Sequence, residues 1–150
     1  MEELLVTLHG ARALVIGNGR IGKLLSQRLA CLGADVTVSA RSNADFAWIS
    51  ATGLHTLDTR LLAGHLAPFD VIFNTVPSRV LGLAELAEIP EECLVIDLAS
   101  KPGGVDFPAA QQLGRRAIWA LSLPGKVAPM SSAMAIRDTI YNILQEEGIL

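Results

Sequence analysis

The chain is poor in the residues that build disulfide, metal or nucleic-acid chemistry. It holds two cysteines, Cys31 and Cys93, and three histidines among 150 residues. Two cysteines without metal-ligand spacing exclude a disulfide framework, and both read as small buried hydrophobes suited to a reducing compartment. His9, His55 and His65 share no spacing with each other or with further ligands, so no metal site is expected. Charged residues make up only 18%, and 12 Lys and Arg against 15 Asp and Glu leave a net charge of −3. Affinity for a phosphate backbone needs clustered cations, so no nucleic-acid partner is expected either. No apolar run reaches the roughly 18 residues of a membrane span, and Met1-Glu2-Glu3-Leu4-Leu5 lacks the basic start and apolar core of a secretion signal. The expectation is a cytoplasmic protein without membrane contact. What the chain has in quantity is apolar: 51% is hydrophobic, enough for one well-packed core, and the length is short for two.

Short β-rich runs at 11–16, 35–39, 54–57, 71–76, 93–98 and 117–121 alternate with helical patterns near 20–32, 43–51, 58–66, 82–87, 106–113 and 129–147. Val71-Ile72-Phe73 and Leu94-Val95-Ile96 are continuously apolar, as strands are when helices cover both faces of their sheet. Gly53 and Gly114 stand where helices stop. The last segment places Ala133, Ile136, Ile140 and Ile143 on one face, which predicts a long amphipathic helix. Right-handed crossovers then give an α/β, doubly wound parallel sheet in three αβα layers, the Rossmann fold, with ligands outside the carboxyl ends of the strands. Leu4, Leu5 and Leu8 at helical spacing predict that residues 1–10 end a linker helix, with 11–150 as the dinucleotide-binding domain and the substrate domain outside this chain.

Residues 14–22 carry the sharpest motif, Leu-Val-Ile-Gly17-Asn18-Gly19-Arg20-Ile21-Gly22. Gly17 allows a sharp turn off the strand, Gly19 lets backbone approach a pyrophosphate, and Gly22 lets helix and strand pack closely. The helix that follows (Ile21, Leu25, Leu29, Leu32, closed by Gly33) offers unpaired first-turn N–H groups to the diphosphate. Its context, after an apolar strand and before an amphipathic helix, is the one the motif requires. Cofactor choice is read at the end of the second strand, where an Asp or Glu would bond a ribose 2′-OH. The chain has Ser39-Ala40-Arg41-Ser42-Asn43 there instead. Arg41 can grip a 2′-phosphate with two prongs or stack on the adenine, and Ser42 and Ser39 can donate hydroxyl bonds. NADP is the expected cofactor, with NAD possible.

Three further strand ends turn polar. In Phe73-Asn74-Thr75-Val76-Pro77, Asn74 and Thr75 could bond ribose and diphosphate while Pro77 fixes the loop, against the plainer reading of a strand-ending turn. In Asp97-Leu98-Ala99-Ser100-Lys101-Pro102-Gly103-Gly104-Val105-Asp106, Lys101 and Asp106 supply a donor and a base beside a turn that structure alone could also require. In Leu123-Pro124-Gly125-Lys126, Gly125 would let a nicotinamide ring lie against bare backbone and Lys126 would face the reacting centre. Met130, Met134, Trp48 and Trp119 read as packing residues.

Taken together, Gly17–Gly22, Ala40-Arg41, Ile72–Pro77, Asp97–Phe107 and Leu123–Pro129 resemble the dipicolinate synthase A-type family, from Leu8 to the C-terminus. Family members are roughly twice as long, with a separate N-terminal domain, so the resemblance makes this chain their C-terminal cofactor domain. It implies an oxidoreductase that works with a flavoprotein-like B subunit in sporulation. The substrate it implies is a small cyclic dicarboxylate, dihydrodipicolinate or its hydroxy-tetrahydro form, oxidised to pyridine-2,6-dicarboxylate. Carried over residue by residue, it implies contacts from Gly17, Asn18, Gly19, Arg20 and Ile21 to the diphosphate, from Arg41 and Ser42 to the 2′-phosphate, and from Asn74, Thr75 and Pro77 in the next loop. Leu98, Ala99 and Gly125 would meet the nicotinamide, and Lys126 or Asp106 would accept the proton, with Lys101 a weaker choice. Ile21, where Thr is common, and Ser131-Ser132-Ala133 depart from the family pattern. A dinucleotide-sensing regulatory domain without catalysis is the alternative, and a homo-oligomer is left open. A methyltransferase fits less well, because its ribose-binding acidic residue is missing.

Overall fold

The computed structural model describes residues 7–148. The apolar runs become six strands: β1 (Arg12–Ile16), β2 (Asp35–Ala40), β3 (His55–Asp58), β4 (Val71–Asn74), β5 (Leu94–Asp97) and β6 (Arg116–Trp119). They form one sheet in the order β3-β2-β1-β4-β5-β6, and every pairing is parallel. The helices are α1 (Arg20–Cys31), α2 (Asn43–Ala51), α3 (Leu83–Glu88), α4 (Phe107–Gln112), α5 (Leu123–Val127) and α6 (Pro129–Glu146). This is the doubly wound arrangement the alternation predicts. The described residues divide into two compact units, with the boundary between Trp119 and Ala120. The sheet and α1–α4 lie in the first, α5 and α6 in the second.

Strand β1 shows why the sheet is central. Leu14 and Ile16 join one core with Ile72, Val95, Leu86 of α3 and Ala109 of α4. Ala13 and Val15 join the other with Val38, Val71, Leu29 of α1 and Ile49 of α2. A strand covered on both faces has no polar side to alternate with, hence its unbroken apolar sequence. Each fully buried Leu, Ile or Val contributes about 1.5–3 kcal/mol relative to exposure. The register aligns Ile16 with Ser39 and Asn74, Asn74 with Asp97, and Asp97 with Trp119, so these residues form a row along the carboxyl edge of the sheet.

Four expectations are corrected. The helix expected over 58–66 is only a 3-10 turn, Thr59–Leu61. Asp58 accepts from the Arg60 backbone N–H at 2.9 Å and ties down the Arg60 guanidinium at 2.6 Å, and Gly64 turns the chain at φ +83°. The loop expected around Gly125 is α5, with Pro124 in its first turn, where a missing N–H costs nothing. Cys31 is exposed on α1, whereas Cys93 is buried and its thiol is pushed up to about 12 by desolvation, then by Asp70. Met130 and Met134 are exposed rather than packed, on a helix α6 that buries no residue.

Trp119 does pack, stacked on Phe107 with ring centroids 5.3 Å apart, and Trp48 lies under Lys23 Nζ at 4.8 Å. Leu4 and Leu5 lie outside the described residues, and Leu8 leads into a turn in which Gly10 donates to Gly33 O at 2.8 Å. No helix among the described residues is long and apolar enough to cross a membrane, and no group of three or more His, Cys, Asp or Glu among them could hold a metal ion.

Candidate functional site

Between β1 and β4 the strand order reverses, and connections leave the sheet in opposite directions, which opens a crevice outside the carboxyl ends. It measures about 670 Å³ and is lined by Gly17–Ile21 after β1, by Ala40, Arg41, Ser42 and Asp45 after β2, and by Thr75–Ser78 after β4.

The three glycines of the first turn differ in what excludes a side chain. At Gly17 φ is +100°, and a Cβ would meet Thr75 Oγ1 at 2.6 Å and Val76 Cγ2 at 2.8 Å. At Gly22 a Cβ would stand 2.0 Å from the Gly17 carbonyl oxygen. At Gly19 nothing lies within 4 Å, and φ is an ordinary −76°. The protein's own packing thus demands the first and third glycines, while the described residues place no such demand on the second. Gly19 is also the N-cap of α1; it supplies no side-chain cap, and no acidic residue sits in the first turn. The positive end of the helix thus has neither a side-chain cap nor a first-turn carboxylate, and the exposed guanidinium of Arg20 stands beside it.

At the end of β2, Arg41 is exposed and lines the crevice, as expected. The serine hydroxyls are committed elsewhere. Ser42 Oγ caps α2 by accepting from the Asp45 N–H at 3.1 Å and donates to Asp45 Oδ2 at 2.6 Å. Ser39 is fully buried and accepts from Thr59 Oγ1 at 3.0 Å. Asp45 also accepts from Asn18 Nδ2 at 2.8 Å. The Ser42 bond first, then the Asn18 bond, holds the Asp45 carboxyl below its ordinary range, with Lys23 adding to the pull. Asn18 Oδ1 is buried with no hydrogen-bond partner among the described residues. The sequence pattern alone did not single out Asp45, although Ser42-x-x-Asp45 is a capping spacing that marks residue 45 as returning to the strand end.

The β4 edge corrects the assignment of Asn74. Its side chain is fully buried: Nδ2 donates to Val76 O at 3.0 Å and Asp97 Oδ1 at 2.8 Å, while Oδ1 accepts from Val76 N at 3.0 Å. A ribose or diphosphate has no access to it. Thr75 and Pro77 line the crevice, but the Thr75 hydroxyl donates to Ile16 O at 2.8 Å. Asp97, to which the sequence pattern assigned no role, accepts further bonds from the N–H groups of Ala99, Gly104 and Val105. The signal for it was a carboxylate closing an apolar strand directly before a glycine-rich turn.

Past β5, Leu98 N donates to Asn74 O, and Ala99 is buried with its carbonyl accepting from Trp119 Nε1 at 3.1 Å. A Cβ on Gly104 would meet Asn74 Nδ2 at 2.3 Å, which accounts structurally for one of the paired glycines. Asp106, expected as a base, instead caps α4 through the Ala109 N–H at 3.2 Å and pairs with Arg79 Nη1 at 3.0 Å. Lys101 stands exposed on the turn after β5. Gly125 and Lys126 belong to the second unit, on α5, and the crevice is built from the first unit alone.

No family model matches the chain. It is 39% identical to the A-type polypeptide of dipicolinate synthase from Bacillus subtilis (strain 168) over 140 residues, covering 93% of this chain and 47% of that protein. The crystal structure of the same dipicolinate synthase polypeptide from Bacillus halodurans superimposes with a TM-score of 0.90 at 39% identity, covering 93% of this chain and 48% of that one. For the dipicolinate synthase crystal structure from Bacillus subtilis the TM-score is 0.92 at 38% identity, over 95% and 48% of the two chains. The chain therefore spans about half the length of these relatives.

Proposed function

We propose, from the premise that the chain is related to one half of the A-type polypeptide of dipicolinate synthase, that it binds a nicotinamide dinucleotide for an oxidoreductase. The observation that carries this reading is Gly19: a bare, unstrained position on an uncapped helix end, opening into the crevice where the strand order reverses. In this reading the N–H groups of residues 18–21 and the Arg20 guanidinium hold the diphosphate, and Arg41 takes the 2′-phosphate of NADP. Thr75 and Pro77 form the wall on the β4 side. Leu98 and Ala99, braced by Asn74 and Trp119, form the edge toward the nicotinamide.

When bound, the nicotinamide supplies a hydride acceptor. The protein's task is orientation, and the hydrogen bonds that Asp97 accepts from Ala99, Gly104 and Val105 hold the strand end beside which a ring would lie. The substrate class suggested by the relatives' name is a cyclic dihydro-dicarboxylate, which becomes aromatic on losing one hydride and one proton. A second, B-type subunit is the partner proposed with it.

Calorimetry of the chain with NADPH and NADH tests the reading. Both should give saturable binding, and Arg41→Ala should cost about 1.5–3 kcal/mol for NADPH and little for NADH, as loss of a charge-assisted bond does. Equal losses for the two cofactors would refute the role of Arg41, and absence of a saturable signal with either would refute the site.

A further inference from the structure

We propose that Asp45 is a specificity-determining residue of this crevice: by holding Ser42 and Asn18, it makes this end an acceptor for ribose hydroxyls and opposes the 2′-phosphate that Arg41 attracts. The inference rests on the dinucleotide reading and adds a counterweight to it.

The acid that usually ends the second strand is missing, since Ala40 and Arg41 stand there. The chain nevertheless returns a carboxylate to the crevice. Helix α2 begins at Asn43 under the Ser42 cap, and its first turn carries Asp45 back to the wall that Arg41 and Asn18 share. A carboxylate only accepts hydrogen bonds. Asn18 must therefore turn its Nδ2 toward Asp45, which it does at 2.8 Å, and its Oδ1 is left buried without a partner. Ser42 likewise gives its one hydroxyl proton to Asp45, at 2.6 Å.

The result is an acceptor on the crevice wall, the Asp45 carboxylate, next to the exposed donor Arg41. A ligand extending from the diphosphate turn meets this wall with its sugar. Ribose hydroxyls bring the donors it lacks, whereas a 2′-phosphate brings only acceptors and negative charge, which the carboxylate repels. Arg41 and Asp45 thus pull the NADPH-to-NADH preference in opposite directions.

The test is the ratio of the NADH and NADPH dissociation constants, measured on the chain at low ionic strength by nicotinamide fluorescence. Asp45→Asn keeps one oxygen for the local hydrogen bonds and removes the charge, so the ratio should move toward NADPH by about fivefold or more. Ser42→Ala, which leaves the carboxylate in place, should move it by less than about twofold. Asp45→Ala removes the carboxylate outright and should move the ratio toward NADPH by about fivefold or more as well. This variant carries the test should Asp45→Asn fail to fold by circular dichroism. If both dinucleotides bind and neither Asp45→Asn nor Asp45→Ala moves the ratio, the inference is overturned while the site stands. If the wild type binds neither, the site itself falls, and this inference with it.

Discussion

Asn74 Nδ2 donates to Asp97 Oδ1 across 2.8 Å, at neighbouring positions of β4 and β5 where neither side chain reaches solvent. Among the described residues Asp97 collects four donors: this amide and the N–H groups of Ala99, Gly104 and Val105. A buried carboxylate is tolerated only when its lone pairs are filled, and the donors that fill it are then equally dependent on it. Asp97→Ala should therefore leave several buried N–H groups unpaired and cost about 3–5 kcal/mol. In a chain of this size that lowers the melting temperature by roughly 10 °C. Trp119 emission should shift as well, because its indole N–H anchors to Ala99 on the same turn. Melting and emission equal to wild type would show that Asp97 does not hold this edge.

That pair also marks the limit of what the sequence alone discloses. The six strands and the glycine turn were legible because each follows from local rules: continuous apolar runs and glycines spaced for a turn. Whether a polar residue at a strand end faces the ligand or the neighbouring strand depends on register, and Asn74 meets Asp97 only once β4 and β5 align. The Asn18–Asp45 bond joins two turns 27 residues apart, and the Arg79–Asp106 pair joins the loops after β4 and β5. Such partners are set by the fold, and no local pattern announces them. The missing helix after β3 fails differently, since Asp58 binding its own neighbour Arg60 makes a tight turn where apolar spacing suggested a helix.

Gly19 and Gly22 separate ligand from fold. Gly19→Ala meets no atom within 4 Å and needs no unusual backbone angle, so unfolding stability should stay within about 1 kcal/mol of wild type. Its methyl would intrude on the position proposed for the diphosphate, and NADPH affinity should fall by about tenfold or more. Gly22→Ala places its Cβ 2.0 Å from Gly17 O, and α1 cannot keep its place against β1. That variant should lose several kcal/mol in chemical denaturation, comparable to severe overpacking. Tight NADPH binding by folded Gly19→Ala would remove the principal argument for the site.

On the opposite edge of the sheet, Asp70 receives the Arg12 backbone N–H at 2.8 Å and the Arg12 guanidinium at 3.0 Å, bracing the starts of β4 and β1. The guanidinium hydrogen bond, opposed by some burial, holds the Asp70 carboxyl below the usual carboxylate range. A carboxylate whose folded pKa is depressed stabilises the fold above its unfolded value, about 3.9, and that contribution disappears as pH falls through the lower folded value. The Arg12 side chain is 54% exposed, so solvent screening keeps the contribution of the pair small. Asp70→Asn should consequently unfold at lower urea concentration than wild type at pH 7, with the two midpoints converging as the pH drops below about 3.9. A gap between the midpoints that persisted unchanged at a pH of about 2.5 would assign the effect to the backbone bond and packing rather than to charge.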